Sequence, residues 1–252
     1  MYTFAQAGMG ANDELFGGMG LYVAGAIERR QHKADEALKK AQQHGVVGAQ
    51  GWAHLVKAFV AIQAGSWEEV ATNADNAYAI ATMLQNADLQ ARVLWSRSAS
   101  AGWQGNWEQA ITDIEEAMRM AQLYGEMSMV FPHLLVQAAK AYFFAGKIEE
   151  AQRYVDQAME LGKSRHYRQV PAMVQRLQGR IWQEQHRFEQ AQPCFERSLA
   201  ELQALDDMVE YARTQEAYAY FYFARKGEGD EARGKELLHT AQETFNRLGV
   251  NG

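Results

Sequence analysis

Seven histidines and a single cysteine are the side chains of this sequence best suited to metal ligation or nucleophilic chemistry, and their spacing decides whether either is open to it. A hydrolytic zinc site built on one helix needs two histidines a turn apart with a glutamate beside the first. The histidines at 32, 44, 54, 133, 166, 186 and 239 form no such pair, and each falls in a different predicted helix or turn. They read as solvated or capping groups. Cys194 follows Pro193 on a segment patterned for packing, so it reads as a small buried apolar residue and not as a nucleophile. One cysteine also excludes an intramolecular disulfide and a cysteine-based metal cluster, and it suits a reducing, cytoplasmic setting. The glycine clusters at 8–10 and 17–20 do not follow a strand, so they predict a loop or a loosely packed first helix, not a phosphate cradle. No catalytic residue, metal or cofactor is expected. An enzyme whose groups are scattered over several helices is the remote alternative.

Binding is the chemistry that remains, and composition narrows its kind. Of 252 residues, 48% are hydrophobic and 22% charged, with three prolines, which is the profile of an ordered soluble chain. The formal net charge of −6 lacks the basic footprint that direct nucleic-acid binding requires. The N-terminal residues have neither the basic start nor the apolar stretch of a secretory signal. The longest near-apolar run, 21–27, is far short of the roughly 20 residues that span a bilayer, so no membrane segment is expected.

The elements that must present any binding face are set by an internal repeat. Trp67-Glu-Glu-Val, Trp107-Glu-Gln-Ala, Ile148-Glu-Glu-Ala and Phe188-Glu-Gln-Ala recur at spacings of 40, 41 and 40 residues. Each is preceded two residues earlier by a mark residue, Gly65, Gly105, Gly146 and His186. Extending the frame adds Gly25 at one end and Gly229 at the other, giving units at 8–46, 47–86, 87–126, 127–167, 168–207 and 208–250. Twelve residues after each mark stands a small residue: Ala37, Ala77, Ala117, Ala158, Ser198 and Ala241. Apolar or small residues three before and four after complete one helical face. A small residue on the second helix of each unit lets a neighbouring helix approach closely. The glycine mark ends the preceding helix in the left-handed conformation. Each unit is thus a helical hairpin, whose first helices are predicted over 52–64, 89–104, 133–145 and 172–185, with Pro132 and Pro171 near two of the starts. Pro193 predicts a late start or a kink in the second helix of unit five, and the insertion at 226–230 makes the last unit atypical.

Unit four carries Ala139, Tyr142, Gly146, Ala151, Val155 and Ala158, and unit five Gly179, Trp182, Ala191, Phe195 and Ser198. This series resembles the tetratricopeptide repeat, with a period near that of the longer repeats in maltose-operon-type activators and quorum-sensing peptide receptors. The resemblance implies an all-α, right-handed superhelical solenoid of about six hairpins and about twelve helices, forming one repeat domain over the whole chain. It implies a protein- or peptide-binding scaffold or sensor module that uses the inner face of its first helices. The alternative it raises is the small-molecule-sensing domain of a bacterial transcriptional regulator.

Carrying the inner-face positions over from that family gives Trp52, Leu55, Val56, Phe59 and Gln63 in unit two, and Arg92, Trp95, Ser96 and Trp103 in unit three. Unit four contributes His133, Gln137, Lys140, Phe143 and Phe144, and unit five Met173, Arg176, Arg180 and Glu184. The basic residues Arg92, Lys140, Arg176 and Arg180 are expected to share a hollow with the aromatic ones. An acidic peptide or protein segment with an aromatic or apolar anchor is the partner this implies. The family's paired lysines and asparagines for a C-terminal carboxylate are not reproduced. The aromatic run at 218–223, with Tyr218 and Phe221, is expected either to be core or to cover a homodimer surface at the end of the solenoid.

Overall fold

The computed structural model describes residues 27–123, 130–164, 167 and 169–250. Among these the regular elements are all α-helices: α1 (Ile27–Gln43), α2 (Val47–Ala64), α3 (Trp67–Met83), α4 (Ala87–Trp103), α5 (Trp107–Leu123), α6 (Phe131–Phe144), α7 (Ile148–Ser164), α8 (Gln169–Glu184), α9 (Phe188–Ala204), α10 (Met208–Arg225) and α11 (Asp230–Leu248). The helix expected ahead of Gly25, the glycine clusters before it and His166 lie outside the described residues. No described helix is long and apolar enough to cross a membrane.

The chain divides into two compact units, one running to Phe131 and the other starting at Pro132. In the first, α1 packs on α2, α2 on α3, α3 on α4 and α4 on α5, while α2 also touches α4. In the second, α7 to α11 pack in the same serial order and α8 also touches α10. There α6 meets α7 through the rings of Tyr142 and Tyr154, 5.3 Å apart. A helix that meets both its sequence neighbour and the helix two further on is the contact pattern of stacked helical hairpins. The fold is all-α and tetratricopeptide-like.

The small-residue column does what its spacing requires. Ala37, Ala77, Ala117, Ala158, Ser198 and Ala241 are all fully buried, none more than 1% exposed. The first helices are as tight: a Cβ on Gly179 would stand 2.9 Å from the Phe195 ring, so only glycine lets α9 lie this close to α8. Larger side chains fill the rest. In the second unit Phe195, Tyr218, Phe221 and Tyr222 form one cluster, rimmed by Trp182, Phe188, Leu199 and Leu237.

Gly65, Gly105 and Gly146 take positive φ of 69°, 76° and 77°, as a left-handed helix end demands. His186 holds the same place in the fifth unit at φ 56°. In the last unit the single mark splits in two: Lys226 ends α10 at φ 56°, and Gly229 opens α11 at φ 77°. The inserted residues supply both. Asn86 and Asp207 cap α4 and α10 by accepting from the amides of Leu89 and Glu210.

Helix α9 starts at Phe188 with Pro193 in its sixth place, which corrects the expectation of a late start. The amide that proline lacks would have met the carbonyl of Glu189, an exposed residue whose carbonyl water can serve. Tyr218 and Phe221, expected as core or as a homodimer surface, take the core alternative, 6% and 0% exposed. Phe195 stacks on Tyr218 at 5.2 Å and lies 5.6 Å from Phe221. The Tyr222 hydroxyl donates to that of Tyr218, which in turn donates to Glu196. Beyond them α11 turns Glu231, Lys235, Glu236, His239 and Glu243 to solvent, so the last helix brings its own polar face.

Candidate functional site

In the second unit, residues 40 apart on α6, α8 and α10 occupy equivalent places, so Lys140, Arg180 and Tyr220 form one row, and Met173 and Arg213 part of another. The row's centre is unusual. The Arg180 guanidinium lies over Phe143 at 5.0 Å and over Phe144 at 4.5 Å. Those rings meet edge to face, 5.2 Å apart at 82°, and make a corner that holds the guanidinium. Among the described residues Arg180 has no hydrogen bond and no ion pair. Burial first, and Arg176 second, lower its pKa, while Glu184, Glu216 and Tyr220 oppose the shift.

Beside it runs a buried ion triad. Arg176 gives Nη2 to Glu210 Oε2 at 2.6 Å, and Nη1 to the Glu210 carbonyl at 3.1 Å and Thr214 Oγ1 at 3.3 Å. Arg213 gives Nη1 to Glu210 Oε1, also at 2.6 Å. The Glu210 side chain is 3% exposed. Burial alone would raise its pKa, but the two guanidinium groups hold it down to about 2. One carboxylate between two arginines leaves a net positive triad. Lys140, half-buried on α6, feels the result: burial, then Arg213 and Arg176, push its ammonium down to about 7, against the pull of Glu210.

The second unit thus brings together Lys140, Phe143, Phe144, Arg176 and Arg180 from the predicted set, with two qualifications. Arg176 is a structural partner of Glu210 and not a solvated cation waiting for a ligand. Phe143 is 6% exposed and serves as the platform under Arg180. His133 lies edge-on to Tyr167 at 6.2 Å. Glu210, Arg213, Glu216 and Tyr220 were missed, although extending the 40-residue register from Met173, Arg176 and Arg180 into α10 points to the last three.

In the first unit the predicted face is aromatic. Phe59 and Trp95 meet edge to face at 5.0 Å, and Trp103 is 39% exposed. Arg92 lies over the Trp52 ring at 5.4 Å and pairs with Asp88 at 3.0 Å. Leu55, Val56, Gln63, Ser96 and, in the second unit, Gln137 are buried, none more than 7% exposed.

The remaining chemistry is sparse. Among the described residues no group of three or more His, Cys, Asp or Glu is placed to hold a metal ion. Cys194 is buried, gives its thiol to the Gln190 carbonyl, and has its pKa raised by burial. His54 is hydrogen-bonded to Asn73, and His32 and His239 pair with glutamates one turn on.

No protein-family model and no curated protein matches the chain. Solved structures do. BtubC (BKLC) from P. vanneervenii superposes with a TM-score of 0.62 at 20% identity, over 91% of this chain and 94% of that one. A signal transduction ATPase with numerous domains, carrying a tetratricopeptide repeat sensor, from Pyrococcus horikoshii gives a TM-score of 0.63 at 15% identity, over 88% of this chain and 35% of that one. At such identities the likeness is one of fold.

Proposed function

We propose that this chain is a binding module and not an enzyme, and that its second unit takes an anionic peptide or protein segment with an aromatic anchor on the face of α6, α8 and α10. The observation that carries this reading is Arg180, fixed on two rings with no acceptor of its own among the described residues, beside Lys140, Arg176 and Arg213. A guanidinium held flat has lost its rotational freedom in advance, so little more is lost when a carboxylate or similar group docks. Phe144, the more exposed ring of the corner, offers the anchor its apolar contact. The tetratricopeptide-like fold, which in the Pyrococcus protein serves as a sensor, accords with such a role. A small-molecule ligand is the second reading. The Phe59 and Trp95 pair, with Arg92 over Trp52, would suit a flat one.

The test is fluorescence anisotropy of a labelled glutamate-rich peptide with one tryptophan, set against the same peptide with lysine for glutamate. The acidic peptide should bind the full chain, weaken steadily as salt is raised, and lose affinity with Arg180→Glu. Equal binding of both peptides, or no effect of Arg180→Glu, would place the site elsewhere.

A further inference from the structure

The charge of this face is concentrated, not spread. Four basic side chains, Lys140, Arg176, Arg180 and Arg213, come from three neighbouring helices; of the buried carboxylates beside them, Glu210 is already used twice, and Asp207 caps α10 and takes the Gln169 amide. Lys140 precedes Phe143 by one helical turn, and Arg180 lies on Phe143, so the ammonium and the guanidinium are neighbours across α6 and α8. Glu184 and Glu216 act on Arg180 from the rim. A run of carboxylates along a peptide would have to pass those two. A compact group with its whole charge at one point would not.

Resting on the reading above, we propose that the anionic group this face holds is a phosphate monoester on the bound peptide segment, with Arg180 taking two terminal oxygens in its fork and Lys140 the third. The oxygen count favours it over a carboxylate. A carboxylate in the Arg180 fork has both oxygens engaged, with only their second lone pairs and a share of one charge left for the ammonium. A phosphate monoester carries about −1.5 to −2 charge at neutral pH and three acceptor oxygens. Arg176 and Arg180 of α8, and Arg213 and Glu210 of α10, face Lys140. Three of these four repel its proton, so a dianion arriving among them restores the ammonium, and binding draws a proton from solution. Tyr220, 49% exposed, acts on Arg180 from α10.

Isothermal titration calorimetry with the full chain tests this using three peptides of one sequence, with phosphoserine, glutamate or serine beside a tryptophan, and inorganic phosphate as a fourth probe. The phosphopeptide should bind at least about tenfold more tightly than the glutamate peptide, since the phosphate adds the Lys140 contact and carries nearly twice the charge. Arg180→Ala should weaken both, whereas Lys140→Met should abolish the difference between them. Repeating the titration at pH 7 in buffers of different ionisation enthalpy should show partial proton uptake, absent in Lys140→Met. Circular dichroism confirms that both variants are folded. If the phosphoserine and glutamate peptides bind alike, the phosphate inference fails while the anionic-segment reading stands. If none of the peptides binds, both fail. Inorganic phosphate binding as tightly as the phosphopeptide would overturn the peptide as its source.

Discussion

Replacing Glu210 by glutamine removes one charge from the second unit and almost nothing else, because the two side chains have the same shape. In the wild-type protein this carboxylate receives one guanidinium nitrogen on each oxygen, both at 2.6 Å. Its pKa falls from an ordinary 4.5 to about 2. At about 1.4 kcal/mol per pH unit, that drop corresponds to roughly 3 kcal/mol of stability contributed by the ionised form. The substituted side chain would keep one acceptor oxygen, but its amide nitrogen would point donors at the other guanidinium. One buried arginine then loses its acceptor and the two repel, in keeping with the roughly 3 to 5 kcal/mol cost of breaking a buried pair. The pH dependence follows in sign. A carboxylate with a depressed folded pKa contributes fully above its unfolded value and loses that contribution as pH falls through the folded one. The gap between wild type and Glu210→Gln should therefore be widest near neutrality and narrow from pH 4.5 towards 2. Urea unfolding followed by circular dichroism gives the size, and hydrogen exchange of α8 and α10 gives the location. A loss under about 1 kcal/mol at neutral pH, or a gap that persists on acidification, would refute the buried triad.

The opposite sign is expected at Lys140, whose folded ammonium is held down to about 7 from 10.5. Its unfavourable contribution is full at and below pH 7 and is relieved as pH rises towards 10.5, so wild-type stability should climb over that window. Lys140→Met should flatten the climb and gain on the order of 1 to 3 kcal/mol at neutral pH in urea unfolding, after discount for the partly exposed side chain. Ala117→Leu pushes extra carbon atoms into a fully buried crossing and should cost roughly 1 to 3 kcal/mol in thermal melts. Unchanged melting would mean the repeat register is wrong. Gly179→Ala sets a Cβ within 3.1 Å of three Phe195 ring atoms, and that ring is pinned by Tyr218, so a loss of similar size is expected. Melting like wild type would show that α8 and α9 can separate at no cost.

The repeat was legible because it is local: the column from Ala37 to Ala241 and the marks at Gly65, Gly105 and Gly146 are read within one hairpin each. What stays open depends on partners far along the chain. Arg176 is expected in the hollow with the aromatic residues, and only Glu210, 34 residues on, shows that the fold itself claims its guanidinium. Tyr218 and Phe221 stay between core and dimer surface in the sequence, because nothing in their own helix shows that Phe195 stacks on one of them. Pro193 suggests a late start, but a proline in the first turns of a helix removes only one early hydrogen bond, and α9 begins at Phe188 all the same. The site was half legible. Lys140, Phe143, Phe144 and Arg180 follow from repeat position, whereas the shift at Lys140 and the setting of Arg180 arise from side chains of three helices acting together.

In the proposed function Arg180 receives the ligand while Arg176 and Arg213, paired with Glu210, hold the fold. Arginine side-chain NMR resolves the three directly, through the Nε–Hε resonances of the labelled protein assigned with single arginine variants. Titrating the acidic, tryptophan-bearing peptide should move the Arg180 resonance in step with binding and leave those of Arg176 and Arg213, fixed on Glu210 at 2.6 Å, close to their free positions. A peptide that binds while the Arg180 resonance stays still, or that shifts Arg176 and Arg213 instead, would contradict the assignment.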